Sequence, residues 1–208
     1  MRLSQIDDAS RPDHYHLTVE DDCYYFLEYT SGRDFRFSKA NSIISNLKKK
    51  PSNRERDDYK YKLQAMRQAS NTFRGALNAN WLQQATLVPV PGSKALGHPD
   101  YDDRMERICR GIQDGLDIRN LVIQRQSTTA SHEAGAGARV TVDELLELYE
   151  IDETIAAPVP RDIAIFDDVL TAGTHFRAMK TVLTQRFPGV RVTGMFIARR
   201  IFPPDEEV

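Results

Sequence analysis

Three observations on this chain predict an α/β fold: a mostly parallel sheet flanked by helices. From Ala85 to Ala198, short apolar runs alternate with helical patterns, and strands separated by helices pair in parallel. Ile163-Ala164-Ile165-Phe166 is continuously apolar, as a strand covered on both faces must be. Asp167 and Asp168 close that run, the small loop Thr171-Ala172-Gly173-Thr174 follows, and His175 to Leu183 reads as a helix. A strand, a tight loop and a helix form a cradle for a phosphate, because loop N–H groups and the positive end of the helix dipole converge on one point.

The segments before this core read differently. Residues 1 to 13 form a polar arm. His14 to Glu20 and Cys23 to Thr30 are rich in strand formers with Asp21-Asp22 between them, which predicts a hairpin. His14 and His16 on one strand face fit two half-exposed histidines better than metal ligands. Asn41 to Lys49 is a short helix, and Lys48-Lys49-Lys50 before Pro51 reads as its solvated, dipole-complementing end. Ser52 to Glu55 fits a capping box. Behind it Tyr59, Leu63, Met66, Ser70, Phe73 and Leu77 make a stripe at alternating four and three, for the core or a second subunit. Residues 1–82 are therefore an appendage of hairpin and helices. Its role is open and could include a protein partner.

The core begins with the strand Ala85 to Val90, followed by the loop Pro91-Gly92-Ser93-Lys94. Tyr101 to Leu116 reads as a helix with Met105, Ile108, Cys109, Ile112 and Leu116 inward. Tyr101, Asp102 and Arg104 fall in its first turn, beside the loop, either lining a site or as solvated charges. Asn120 to Arg125 is another core strand. Gln126 to Arg139 has two glycines and no apolar period, which predicts a mobile loop. Thr141 to Glu144 fits a capping box opening a further helix, Pro158 and Pro160 frame the approach to Ile163, and Phe187-Pro188-Gly189 turns the chain. Val190 to Ala198 is the last strand, with Arg199-Arg200 at its carboxyl end, where open α/β sheets bind ligands. The core spans 83–202, and 203–208 is a disordered tail.

Composition excludes several classes. The 208 residues suffice for one sizeable domain with an appendage. A net charge of −2 gives no bulk attraction to nucleic acid, so a nucleic-acid partner is not expected, although a local basic patch stays open. No run approaches the roughly 20 apolar residues of a membrane span. The start lacks the apolar core of a signal peptide, which places the chain in the cytoplasm. Cys23 and Cys109 are far apart and form no zinc or disulfide framework.

The pattern of Ile163 to Thr174 resembles the phosphoribosyl-pyrophosphate (PRPP) signature of type I phosphoribosyltransferases: hydrophobic strand, two acidic residues, two mostly apolar residues, then Thr-x-Gly-Thr. Val88-Pro89-Val90-Pro91-Gly92-Ser93-Lys94 is similar to the ComF-type branch. The resemblance covers residues 83–200. It implies that Thr171, Ala172, Gly173 and Thr174 hold the 5′-phosphate, and that Pro91, Gly92, Ser93 and Lys94 grip the pyrophosphate. Asp167 and Asp168 would face the ribose, and with Lys94 they form the implied catalytic set. Mg2+ would enter with PRPP and could touch Asp167 and Asp168. The run after Asn120 matches the family's closing loop, with Thr128, Thr129, His132 and Arg139 as candidates. His132 stands where the branch has glutamine, so the nitrogen acceptor is open. The zinc-binding cysteines that often begin ComF relatives are absent. The implied reaction is displacement of pyrophosphate from PRPP by a nitrogen nucleophile. A PRPP- or nucleotide-sensing regulator, and an effector of a prokaryotic defence or toxin system, are the alternatives. The aromatic-rich Tyr24 to Phe26 and the 59–77 stripe suggest a homodimer.

Overall fold

The computed structural model describes residues 2–127 and 140–203. Its main sheet has five strands in the order β1-β2-β7-β6-β3, where β1 is Ser4–Gln5, β2 Asp22–Thr30, β3 Ala85–Pro89, β6 Asp162–Leu170 and β7 Arg191–Ile201. β2, β7, β6 and β3 run parallel, and β1 is a two-residue antiparallel edge on β2. The apolar run predicted to be buried on both faces is so: Ala164 and Phe166 pack on one side, Ile163 and Ile165 on the other. On the first side lie α1 (Lys39–Leu47), α2 (Lys60–Ala76), α3 (Ala79–Leu82) and α4 (Arg104–Arg110). On the second lie α5 (Val142–Leu148), α6 (Thr174–Arg186) and a small antiparallel pair, β4 (Val122–Gln124) with β5 (Tyr149–Ile151).

The N-terminal hairpin does not form. Arg11–His14 is a single 3-10 turn, entered by Pro12, which has no N–H for a ladder. Asp21 then closes the next turn by accepting the Thr18 N–H at 2.6 Å and the Thr18 hydroxyl. The β-rich run from Cys23 instead pairs in parallel with β7, Tyr24 opposite Met195 and Leu27 opposite Ala198. There Cys23 and Phe26 are buried, a larger gain than a two-stranded ribbon offers.

Three further expectations shift. The Ser52–Glu55 capping box gives way to a 3-10 turn at Pro51–Asn53, with α2 starting at Lys60. The stripe on α2 is present and faces the core, with Met66, Ser70 and Phe73 buried, so it lends no support to the expected dimer. The helix from Tyr101 shortens to Arg104–Arg110 because Gly111 ends it. Met105, Ile108, Cys109 and Ile112 still point inward. Asn120 to Arg125 yields only β4, outside the main sheet; just before it, Ile118 makes a single bridge to Leu87 of β3. The capping box at Thr141 forms in both directions with Glu144. No described helix is long and apolar enough to cross a membrane.

Candidate functional site

The register of β3 on β6 sets the site. Val88 lies opposite Ile165 and Pro89 opposite Phe166, and the Val90 N–H donates to the Phe166 carbonyl at 2.9 Å. The loops leaving the two strands therefore start at the same carboxyl edge of the sheet, the edge where such folds bind ligands.

On one side of that edge is the Thr171–Thr174 loop. Gly173 caps α6 at φ +90°, a left-handed conformation that side chains resist. A Cβ there would also come within 3.2 Å of Leu17. The segment 14–21 packs behind the loop and takes hold of its carbonyls. His14, fully buried, donates from Nδ1 to the Thr171 carbonyl, and the His16 N–H donates to the Ala172 carbonyl at 2.9 Å. Arg177 of α6 donates to the His16 carbonyl at 2.9 Å, and Arg177 and Lys180 both reach Asp21. With the carbonyls held on one side, the loop's donors are left clear. Among the described residues nothing accepts from the N–H groups of Ala172, Gly173 and Thr174, and nothing bonds the hydroxyls of Thr171 and Thr174. These donors head a 13-residue helix, the arrangement that suits a phosphate.

The two carboxylates differ sharply. Asp168 is 3% exposed and clamped: Arg104 donates to its Oδ2 from Nε at 3.0 Å and from Nη2 at 2.7 Å, and Lys48 Nζ stands 3.7 Å from Oδ1. Burial works against its charge, but Lys48 and then Arg104 outweigh burial and hold it well below the usual carboxylate range. Asp167 is half-buried and accepts the Asp168 N–H at 2.7 Å through Oδ1, leaving Oδ2 without a hydrogen bond. Burial and then the Asp168 charge make it a weaker acid and raise its pKa well above the usual carboxylate range, to about 7. The lysines expected to be a solvated helix end thus supply Lys48 to the site. Arg104 continues the network: its Nη1 donates to Asp102 Oδ2 at 2.9 Å, which also accepts from the buried Lys62 at 2.6 Å.

The other loop opens on a cleft of about 320 Å³ lined by Pro91, Gly92, Lys94, Tyr101, Asp102 and Gln124 among others. Gly92 approaches the Asp102 backbone so closely that a Cβ would lie 3.2 Å from its carbonyl oxygen. The Ser93 carbonyl accepts from Gln124 at 3.1 Å. Lys94 lines this cleft and the two aspartates do not; Asp102 links the two through Arg104. Among the described residues no group of three or more His, Cys, Asp or Glu side chains could hold a metal ion. One or two carboxylates completed by ligand phosphates is the usual magnesium arrangement, and the open oxygen of Asp167 fits it.

His175, next after the loop, shares a 2.8 Å hydrogen bond with the buried Tyr149 phenol. Burial drives its imidazole down to about 4, only partly offset by Asp168, so it is neutral at physiological pH. The unfolded chain takes up this proton near 6.5 and the folded chain near 4, so the native state loses stability as pH falls between those values. Compared with His175→Phe, the wild type should lose about 2–3 kcal/mol over that window in urea titrations at fixed pH steps. A pH-independent difference would show that the imidazole is not held neutral.

Thr128, Thr129, His132 and Arg139, with the rest of the expected closing loop apart from Gln126 and Ser127, lie outside the described residues, as do 204–208 of the tail. Lys48, Lys62, His14, Tyr149 and His175 enter the site without a motif to announce them. The sequence marks Tyr101, Asp102 and Arg104 by their place in a helix turn after the Pro91–Lys94 loop, and His14 only as a strand histidine. The chain matches no family model, and a search of curated proteins finds no match either.

Proposed function

We propose that the protein binds PRPP and transfers its phosphoribosyl group to a nitrogen nucleophile with release of pyrophosphate. One observation carries this reading: the unpartnered N–H and hydroxyl groups of Thr171 to Thr174 stand at the head of α6, directly after two carboxylates at the end of β6. A bare phosphate needs the first set and not the second. A sugar phosphate uses both, because a carboxylate accepts hydrogen bonds from vicinal hydroxyls. Asp167 Oδ2 is the free acceptor for that task. Lys94 and the Pro91–Lys94 backbone would receive the leaving pyrophosphate, and Arg104 would fix Asp168 beside C1 as positive charge develops there. Magnesium, brought in with the substrate, would neutralise part of the pyrophosphate charge.

A second reading is a PRPP or nucleotide sensor, favoured by the clamp of Lys48 and Arg104 on Asp168, which meets the negative charge that the transition state would need. Calorimetry with PRPP and magnesium, followed by a pyrophosphate assay against a panel of nitrogen bases, separates the two. Binding with turnover on at least one base is expected. Binding with no pyrophosphate from any base would move the assignment to the sensor, and a flat titration at millimolar PRPP would end both.

A further inference from the structure

Away from this site, positive charge is segregated from the rest of a chain whose net charge is −2. The 17 residues of α2 include no aspartate or glutamate, and its solvent face presents Lys60, Gln64, Arg67, Gln68, Asn71 and Arg74. Clefts of about 420 and 590 Å³ lie on either side of the outer ridge of this helix, and Arg67 and Asn71 on that ridge line both. Arg107 and Arg74 line the first cleft, Lys39 lines the second, and no carboxylate lines either. Arg67 makes no hydrogen bond or ion pair among the described residues, and Arg107 has only Asp103 at 4.0 Å. Arg74 is fixed by donating to the carbonyls of Ile112 and Gly111, the latter at 2.7 Å.

In the chain, two exposed aromatic rings shortly precede Lys39, which lines the second cleft. Phe35 and Phe37 are 52% and 54% exposed, with Arg36 over the first ring and Arg33 over the second at 5.3 and 5.5 Å. Exposing two phenylalanines is costly unless something covers them. Their loop is held in place: the buried Asn41 amide bonds the Thr30 N–H, the Thr30 carbonyl and the Arg33 carbonyl, and Asp34 closes the turn on the Arg36 N–H at 2.8 Å.

We propose that these two clefts, across the Arg67 ridge, and the Phe35–Phe37 loop bind single-stranded nucleic acid, the phosphates tracking Lys39, Arg67 and Arg107 and the bases stacking on the two rings. Exposed aromatics together with cationic clefts whose lining holds no carboxylate are what an unpaired strand requires, since every base has a face to stack and every linkage a charge. The amides of Gln64, Gln68 and Asn71 suit base edges. A mononucleotide would fill one cleft and leave the other, and the rings, unused. A second copy of the chain is disfavoured, because a two-fold contact here sets arginine against arginine.

Fluorescence anisotropy with labelled oligothymidylate and oligouridylate of about 12 nucleotides tests this. Titrations at about 50 and 200 mM salt give the number of phosphates engaged. Lys39→Ala/Arg67→Ala/Arg107→Ala should flatten the salt slope by about 2–3 and weaken binding. Phe35→Ala/Phe37→Ala should weaken binding about tenfold or more while leaving the slope unchanged. All five side chains lie on the surface, and circular dichroism confirms that the variants fold. A difference between the two oligomers tells DNA from RNA as the preferred strand. No binding at the lower salt, or equal binding by wild type and both variants, overturns the proposal. So does capture by anionic phospholipid vesicles that the oligomers fail to compete off.

Discussion

Asp168→Asn should lower both stability and turnover, whereas Asp167→Asn should lower turnover alone. The asparagine keeps the shape of Asp168 but removes the charge that holds Arg104 and Lys48 at the sheet edge. Breaking a buried ion pair from one side leaves an uncompensated charge and typically costs about 3–5 kcal/mol. Lys48 is 28% exposed on its side chain and can turn to solvent, so the loss should fall at the lower end of that range. Asp167 is already displaced toward its neutral form by burial and by its neighbour, and an amide imitates that form with little penalty. In pyrophosphate release both variants should fall by about 10²–10³, the usual effect of deleting one preorganised electrostatic contact. Urea unfolding and a pyrophosphate assay on both proteins provide the check. Equal stability of the two variants would show that Arg104 and Lys48 do not depend on Asp168.

Asp21→Asn should destabilise the protein by about 3 kcal/mol and detach the segment that backs the Thr171–Thr174 loop. The Asp21 side chain is fully buried, with Arg177 and Lys180 on its oxygens and the Thr18 N–H on one of them. Burial raises its pKa, but the Lys180 bond, the Thr18 N–H and the Arg177 charge together bring it below the ordinary 3.8. A carboxyl depressed on folding stabilises the native state above its unfolded value, and that contribution is lost as pH falls through the folded one. The gap between wild type and Asp21→Asn should therefore be full at neutral pH and close in acid. Because His14 and His16 hold the carbonyls of Thr171 and Ala172, the variant should also bind PRPP more weakly at neutral pH. Full affinity in a folded Asp21→Asn protein would show that the loop needs no backing.

How much of this was legible in the sequence depends on the range of the forces involved. The Ile163–Phe166 strand, the loop after it and the Thr141 cap are set by neighbours within a few residues, and each was found where the pattern put it. β2 was read as half of a hairpin because β-forming composition does not name the partner strand, and the partner is β7. Lys48 looked like any lysine at a helix end; only the packing of α1 against β6 brings it to Asp168. The same holds for His175 and Tyr149, whose bond joins α6 to β5. The loop Arg33 to Phe37 carries no motif, and nothing in the sequence marks its aromatic residues as exposed.

The pairing of β2 with β7 also bears on how the chain acquires its structure. Glu28 and Arg199, bonded across that pair at 2.6 Å, are 171 residues apart. Such distant contacts slow the search for the native state, since loop-closure entropy is lost before the contact is gained. During synthesis Tyr24-Tyr25-Phe26-Leu27 emerges before Arg191–Ile201, the strand it pairs with in parallel. During that interval it is an open, apolar strand edge, the kind of surface that chaperones bind and that seeds misassembly. The sheet that carries the candidate site is thus completed in one late step, when β7 inserts between β2 and β6.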